Sequence, residues 1–144
     1  NKGKVMTTVE VVETVNSNAQ SVWDILGNFG GLTVGGPITA FSIDGEGVGA
    51  VRTITMGGAD VVERLEEFDA AAMALKYAII NDDSPLPVSG YSATIKVTDN
   101  GDNVCTVEWI GTFEPKGAPE EAASDVVRGI YTGGIAGARK ATAG

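Results

Sequence analysis

The sequence predicts an α+β fold in which a curved, seven-stranded antiparallel sheet wraps around one long C-terminal helix, with two short helices after the first strand. Three observations carry this expectation. From Ile38 onward, runs rich in β-branched and aromatic residues recur at hairpin spacing, separated by Gly- or Asp-rich breaks. The later runs alternate apolar and polar residues, the pattern of an antiparallel sheet with one covered face. After Pro115–Pro119 the apolar period becomes helical and stays so to Ala141.

Val5–Val12 is β-branched, ends at Glu13 and reads as the first strand. Ser17 or Asn18 caps a helix from Ala19 to Asn28, with Val22, Trp23, Ile25 and Leu26 on its apolar face. Phe29-Gly30-Gly31-Leu32 stops it, and Gly35-Gly36-Pro37 leaves room for only a short second helical turn. The meander then runs through Ile38–Asp44, Val51–Met56, Asp60–Asp69, Leu75–Asn81, Tyr91–Thr98 and Val104–Glu114. Asn100-Gly101 marks its last hairpin, because glycine accepts a positive φ. Tyr91, Ala93, Ile95 and Val97 share one face of their strand, as do Val107, Trp109, Gly111 and Phe113 of the next.

The tail Glu120–Ala141 places Ala123, Val127, Ile130, Tyr131, Gly134 and Ala138 on one helical face. Glu120 and Glu121 open the helix and Arg139 and Lys140 close it, which matches its dipole. Each of Gly129, Gly133, Gly134 and Gly137 costs about 1 kcal/mol relative to Ala. Such a helix needs a sheet to lie on, and its small side chains are expected to leave an internal cavity beneath it.

Composition narrows the chemistry. The 144 residues are 43% hydrophobic and 20% charged, enough to bury a core as a single domain over 1–144, with 5–140 as its body. A net charge of −9 argues against nucleic acid and anionic membrane surfaces as partners. No apolar run approaches the roughly 20 residues that span a bilayer. Asn1–Val5 has no apolar signal region, so a cytoplasmic location is expected, with Met6 as a natural start and Asn1–Val5 as added residues.

The absence of histidine removes His-based triads and nearly all zinc sites. The single cysteine, Cys105, removes intrachain disulfides and cysteine clusters and reads as a structural residue. No metal and no cofactor is called for. Catalysis, if any, falls to carboxylates, Tyr, Arg, Lys or water. Asp60, Asp82 and Asp83 read as solvated loop acids.

At this point the chain resembles a known family. Val22-Trp23-Asp24-Ile25-Leu26, the Gly47–Gly49 break before Val51-Arg52-Thr53, and Glu63-Arg64-Leu65 with Asp69 are similar to the START-like (helix-grip, SRPBCC) superfamily. The Pro85–Tyr91 loop, Val107–Phe113 with Glu114-Pro115, and Gly129-Ile130-Tyr131 extend the likeness over residues 5–140. The nearest branch is polyketide cyclase/dehydrase-like; plant abscisic-acid receptors and birch-pollen-type allergens are more distant. The resemblance implies a helix-grip fold around a pocket for a small, largely apolar molecule.

By the same resemblance, Glu63 stands at a pocket carboxylate, Tyr91 at a pocket tyrosine and Met56–Asp60 at a gate loop. Tyr77, Ile79, Val127 and Tyr131 stand at apolar or aromatic wall positions, and Ile54, Met56, Val61, Ala93 and Trp109 are the further ligand-contact candidates. Thr39 replaces the receptors' lysine, and Val34-Gly35-Gly36 replaces a Trp and a His-Pro pair of many bacterial relatives.

Each candidate also has a plainer reading. Glu63 is either a functional carboxylate or the partner of Arg52 on the neighbouring strand, and Arg52 is expected to lower its pKa. Tyr77, Tyr91, Tyr131 and Trp109 are either ligand contacts or core aromatics with satisfied polar tips. Three function classes follow. One is a cofactor-independent cyclase, dehydratase or lyase with Glu63, Arg52, Tyr91 and Tyr131 as its working groups. The others are a non-catalytic carrier or sensor for an aromatic or polyketide-like molecule, and a homodimeric interaction module.

Overall fold

The computed structural model describes residues 6–143; Asn1–Val5 and Gly144 lie outside the described residues. Strand β1 is Thr7–Val15 and helix α1 is Ala19–Leu26. The meander comprises β2 (Ile38–Asp44), β3 (Val51–Met56), β4 (Ala59–Asp69), β5 (Ala74–Ile79), β6 (Val88–Asp99) and β7 (Cys105–Pro115). Helix α2 is Glu120–Thr142. All seven strands form one antiparallel sheet in the order β1-β7-β6-β5-β4-β3-β2.

Strand pairing decides what faces the helix. Leu65 stands opposite Tyr77, Tyr77 opposite Ala93, Ala93 opposite Gly111 and Gly111 opposite Val9. One row toward the far edge, Arg52 stands opposite Glu63 and Glu63 opposite Ile79. These rows lie on the covered face, where period-two alternation buries Val9, Val61, Leu65, Tyr77, Ala93, Val107 and Phe113. Helix α2 packs on β1 and β7 and against α1. Its ends are tied down: Thr7 donates to Glu120, Arg139 bridges Glu13 and the Thr14 carbonyl, and Thr142 donates to Ser17.

Asn18 caps α1 by accepting from the Ser21 amide at 3.1 Å. The expected second short helix does not form. Residues 29–37 make turns and an isolated bridge between Gly35 and Ile38, with Gly36 at φ 56°, outside helical space. Met56–Asp60, expected as a gate loop, is a tight hairpin. Gly57 and Gly58 make its two-residue turn at φ 62° and 85°, with Met56 paired to Ala59.

Two residues assigned to apolar faces turn outward, Ile25 in α1 and Ile130 in α2, each about 40% exposed. The buried line of α2 is Ala123, Val127, Tyr131, Ile135 and Ala138, and Ile130 falls about 80° from its centre. The space expected beneath Gly134 is filled. A Cβ on Gly134 would lie 2.7 Å from the Trp109 ring, which in turn stacks on Tyr131 at 4.7 Å between centroids. The small face of α2 admits a large side chain from the sheet instead of leaving a void.

Candidate functional site

Arg52, Glu63, Trp109 and the three tyrosines, which include every candidate for chemistry, form two adjoining clusters on the concave face of the sheet. The first is an ion pair. Arg52 reaches Glu63 Oε1 with both Nε and Nη2 at 2.7 Å. The pairing is a direct consequence of register, since β3 and β4 hold the two residues opposite each other. Arg52 Nη1 also donates to the Phe29 carbonyl at 3.2 Å, and its guanidinium lies 4.1 Å from the Phe29 ring centroid and 5.5 Å from that of Tyr77. A planar, delocalised cation suits this position between two aromatic faces.

The second cluster is a hydrogen-bonded chain. Trp109 Nε1 donates to the Tyr77 hydroxyl at 3.2 Å. That hydroxyl meets Tyr91 at 3.1 Å, and Tyr91 meets Tyr131 at 2.5 Å. These are all the tyrosines of the chain, drawn from β5, β6 and α2. Gly111 makes the arrangement fit, because a Cβ there would collide with the Tyr131 hydroxyl. A glycine on the apolar face of a central strand signals such a close approach, and this one carried the hint in the sequence.

Around the clusters, Ile54, Val61, Ala93 and Val127 are buried, while Met56 and Ile79 are half-buried. Cys105 is buried, and burial raises its thiol pKa. Thr39 is exposed and donates to the Thr55 carbonyl within the hairpin. Phe29 was legible only as a helix stop, yet it caps the Arg52 guanidinium. Among the described residues, no group of three or more His, Cys, Asp or Glu is placed to hold a metal ion.

Electrostatics follow burial. The Glu63 carboxyl is raised above its ordinary value, because desolvation outweighs the opposing pull of Arg52. This corrects the expectation of a lowered value: the strand pairing is as expected, but the site is drier. Tyr77, Tyr91 and Tyr131 are all raised by burial first; the Glu63 carboxylate adds to the rise at Tyr77 and Tyr131, and the neighbouring phenols add to it at Tyr91. They remain neutral hydrogen-bond donors at ordinary pH.

Side chains pack closely in the concave centre beside Gly111 and Gly134, and open spaces lie elsewhere. A cavity of about 130 Å³ adjoins Tyr91, between Ile79, Asn81, Val88 and Lys116. An open groove of about 390 Å³ runs under the end of α1, between Phe29, Gly30, Ile43, Ala50, Leu65 and Phe68. A third depression, about 460 Å³, includes Lys76, Lys96 and Glu108, whose strand positions alternate with the buried rows.

Comparison with known proteins completes the description. The family described as "Polyketide cyclase / dehydrase and lipid transport" matches residues 6–142. The chain belongs to this family. Family membership places it in the SRPBCC superfamily and supports small-molecule binding as its general role. A Bacillus thuringiensis protein of solved structure is 29% identical, with a TM-score of 0.82 over 94% of this chain and 98% of that one. The protein XoxI from Bacillus cereus is also 29% identical, with a TM-score of 0.82 over 94% and 95%. Norcoclaurine synthase from Thalictrum flavum, solved in complex with dopamine and hydroxybenzaldehyde, shares the fold at 20% identity, with a TM-score of 0.71 over 94% and 84%. No curated protein sequence matches the chain. No helix among the described residues is long and apolar enough to cross a membrane.

Proposed function

We propose that this protein binds a small, largely apolar, oxygen-bearing molecule on the concave side of its sheet and moves a proton on it, in a cofactor-independent cyclase, dehydratase or lyase reaction. The observation that carries this reading is a mismatch of hydrogen-bonding capacity in two neighbouring groups. Both Arg52 contacts to Glu63 fall on Oε1, and Oε2 receives no hydrogen bond from a described residue. The tyrosine chain has the opposite imbalance. One indole N–H and three phenol O–H groups supply four protons to three contacts. However the hydroxyls turn, one phenolic proton has no acceptor among the described residues.

A carbonyl compound with an acidic C–H satisfies both needs. Glu63 takes the proton from carbon, the C–H electron pair moves into the carbonyl, and the developing oxyanion accepts the spare phenolic hydrogen bond. Desolvation makes Glu63 a stronger base than an ordinary carboxylate, while the raised tyrosine values keep those protons in place as donors. Arg52 acts as a positioning residue that holds the carboxylate in one rotamer. Norcoclaurine synthase, of similar fold, is solved with an aromatic aldehyde, which supports a ligand of this size and chemistry.

The packed aromatic centre favours one further reading, a carrier or sensor that opens on binding and leaves its ligand unchanged. Prolonged incubation of the protein with a panel of aromatic and polyketide-like ketones, followed by mass spectrometry, separates the two. Conversion by the parent that is lost in Glu63→Gln supports proton transfer. Binding without conversion supports the carrier, and conversion that persists in Glu63→Gln removes Glu63 from the mechanism.

A further inference from the structure

The groove under the end of α1 adjoins the ion pair across shared walls. Ile43, which lines it, is the register partner of Arg52, and Leu65 follows Glu63 by two residues on the same face of β4. Phe29 belongs to both sides. It lines the groove, while its ring supports the Arg52 guanidinium and lies 6.5 Å from the Tyr77 ring centroid. Its carbonyl accepts one hydrogen bond, from Arg52 Nη1. The groove volume of about 390 Å³ falls within the range of small-molecule sites.

We infer that this groove is the outer compartment of the ligand site, that Phe29 is the wall between it and the Arg52–Glu63 pair, and that its occupant is a neutral molecule with a planar apolar body and a carbonyl oxygen. This rests on the function proposed above and names the ligand class and its route. The apolar body lies against Ile43, Leu65 and Phe68. The oxygen replaces the Phe29 carbonyl on Arg52 Nη1 when Phe29 swings aside, and the phenolic donors lie beyond. Neutrality follows from charge. Arg52 is already paired with Glu63, Glu46 also borders the groove, and the chain carries −9, so a carboxylate would meet repulsion without a free cation.

The test is a fluorescence titration of the full chain with 2-acetonaphthone, 2-ethylnaphthalene and 2-naphthoate. The ketone is expected to bind at least about tenfold more tightly than the carboxylate, which meets repulsion, or the hydrocarbon, which displaces the Phe29 carbonyl from Arg52 Nη1 and offers no acceptor in its place. Gly30→Leu fills the groove, since a Cβ at Gly30 makes ordinary contact with Ile43 at 3.5 Å, and it should weaken ketone binding at least tenfold. Ile43→Trp, at an exposed side chain in the same groove, serves if that variant fails to fold. Phe29→Ala should speed both association and dissociation in stopped flow. Equal binding of ketone and carboxylate, no binding of the ketone by the parent, or parental affinity in the filled variants would each overturn the inference. Filled variants that bind normally while Tyr91→Phe loses the ketone would sink the groove but leave the proposed function standing. The reverse pattern would keep the groove and sink the tyrosine reading.

Discussion

Glu63 is buried and its partner Arg52 half-buried, and the two are differently compensated, so their substitutions should differ in kind. Arg52→Met leaves a carboxylate that is 9% exposed without a partner and removes the cation from the Phe29 ring. Breaking a buried pair from one side costs about 3–5 kcal/mol, and urea unfolding should show a loss of that size. Glu63→Gln keeps the shape and an acceptor for Arg52, so its loss should be smaller. The pH dependence separates the two further. The folded pKa of Glu63 lies above its unfolded value of 4.5, so the folded state holds the proton more tightly. Its contribution to stability is fully present below pH 4.5 and is lost as pH rises through the folded value. The stability of the parent minus that of Glu63→Gln should fall over this window by at most about 1.4 kcal/mol per pH unit. A difference that rises with pH would show that Arg52 dominates the site after all.

At the scale of elements, strands and the long helix were legible because each repeats its period several times. Ile38–Asp44 and Val51–Met56 form with the expected boundaries. The second short helix was expected and does not form, because three residues containing two glycines carry no helical period. The filled space under α2 was missed for another reason. Periodicity tells which residues face inward, but not how far a partner's side chain reaches, and Trp109 reaches across to Gly134. Two adjacent glycines of α2 make this measurable. A Cβ on Gly133 meets nothing within 4 Å, so Gly133→Ala should stabilise the protein by about 1 kcal/mol through helix propensity. Gly134→Ala drives a methyl into the Trp109 ring and should destabilise it by about 1–3 kcal/mol, the usual cost of overpacking. Thermal melts in which both variants shift the same way would mean that Trp109 yields and the centre is soft.

For the whole molecule, the candidate site was legible as a set of positions and not as a geometry. Strand parity placed Tyr91 with Ala93 and Trp109 with Gly111 on apolar faces, the family resemblance turned Glu63 and Tyr77 toward the pocket, and register brought Arg52 opposite Glu63. The tyrosine chain was beyond reach, because Tyr131 arrives from α2 across 40 residues from Tyr91 and only its depth beside Gly111 lets the hydroxyls meet. Phe29 was hidden in the same way, in a loop with no pattern. What unites the molecule is a carboxylate oxygen with no hydrogen bond from a described residue beside a phenol chain with one proton to spare. The most direct test of that claim is mass spectrometry of small molecules retained by the purified parent and by Tyr91→Phe, compared at a temperature where circular dichroism shows both folded. The account predicts an oxygen-bearing, largely apolar molecule on the parent and its loss from the variant. A parent that retains nothing, or a variant that retains the same molecule equally, would contradict it.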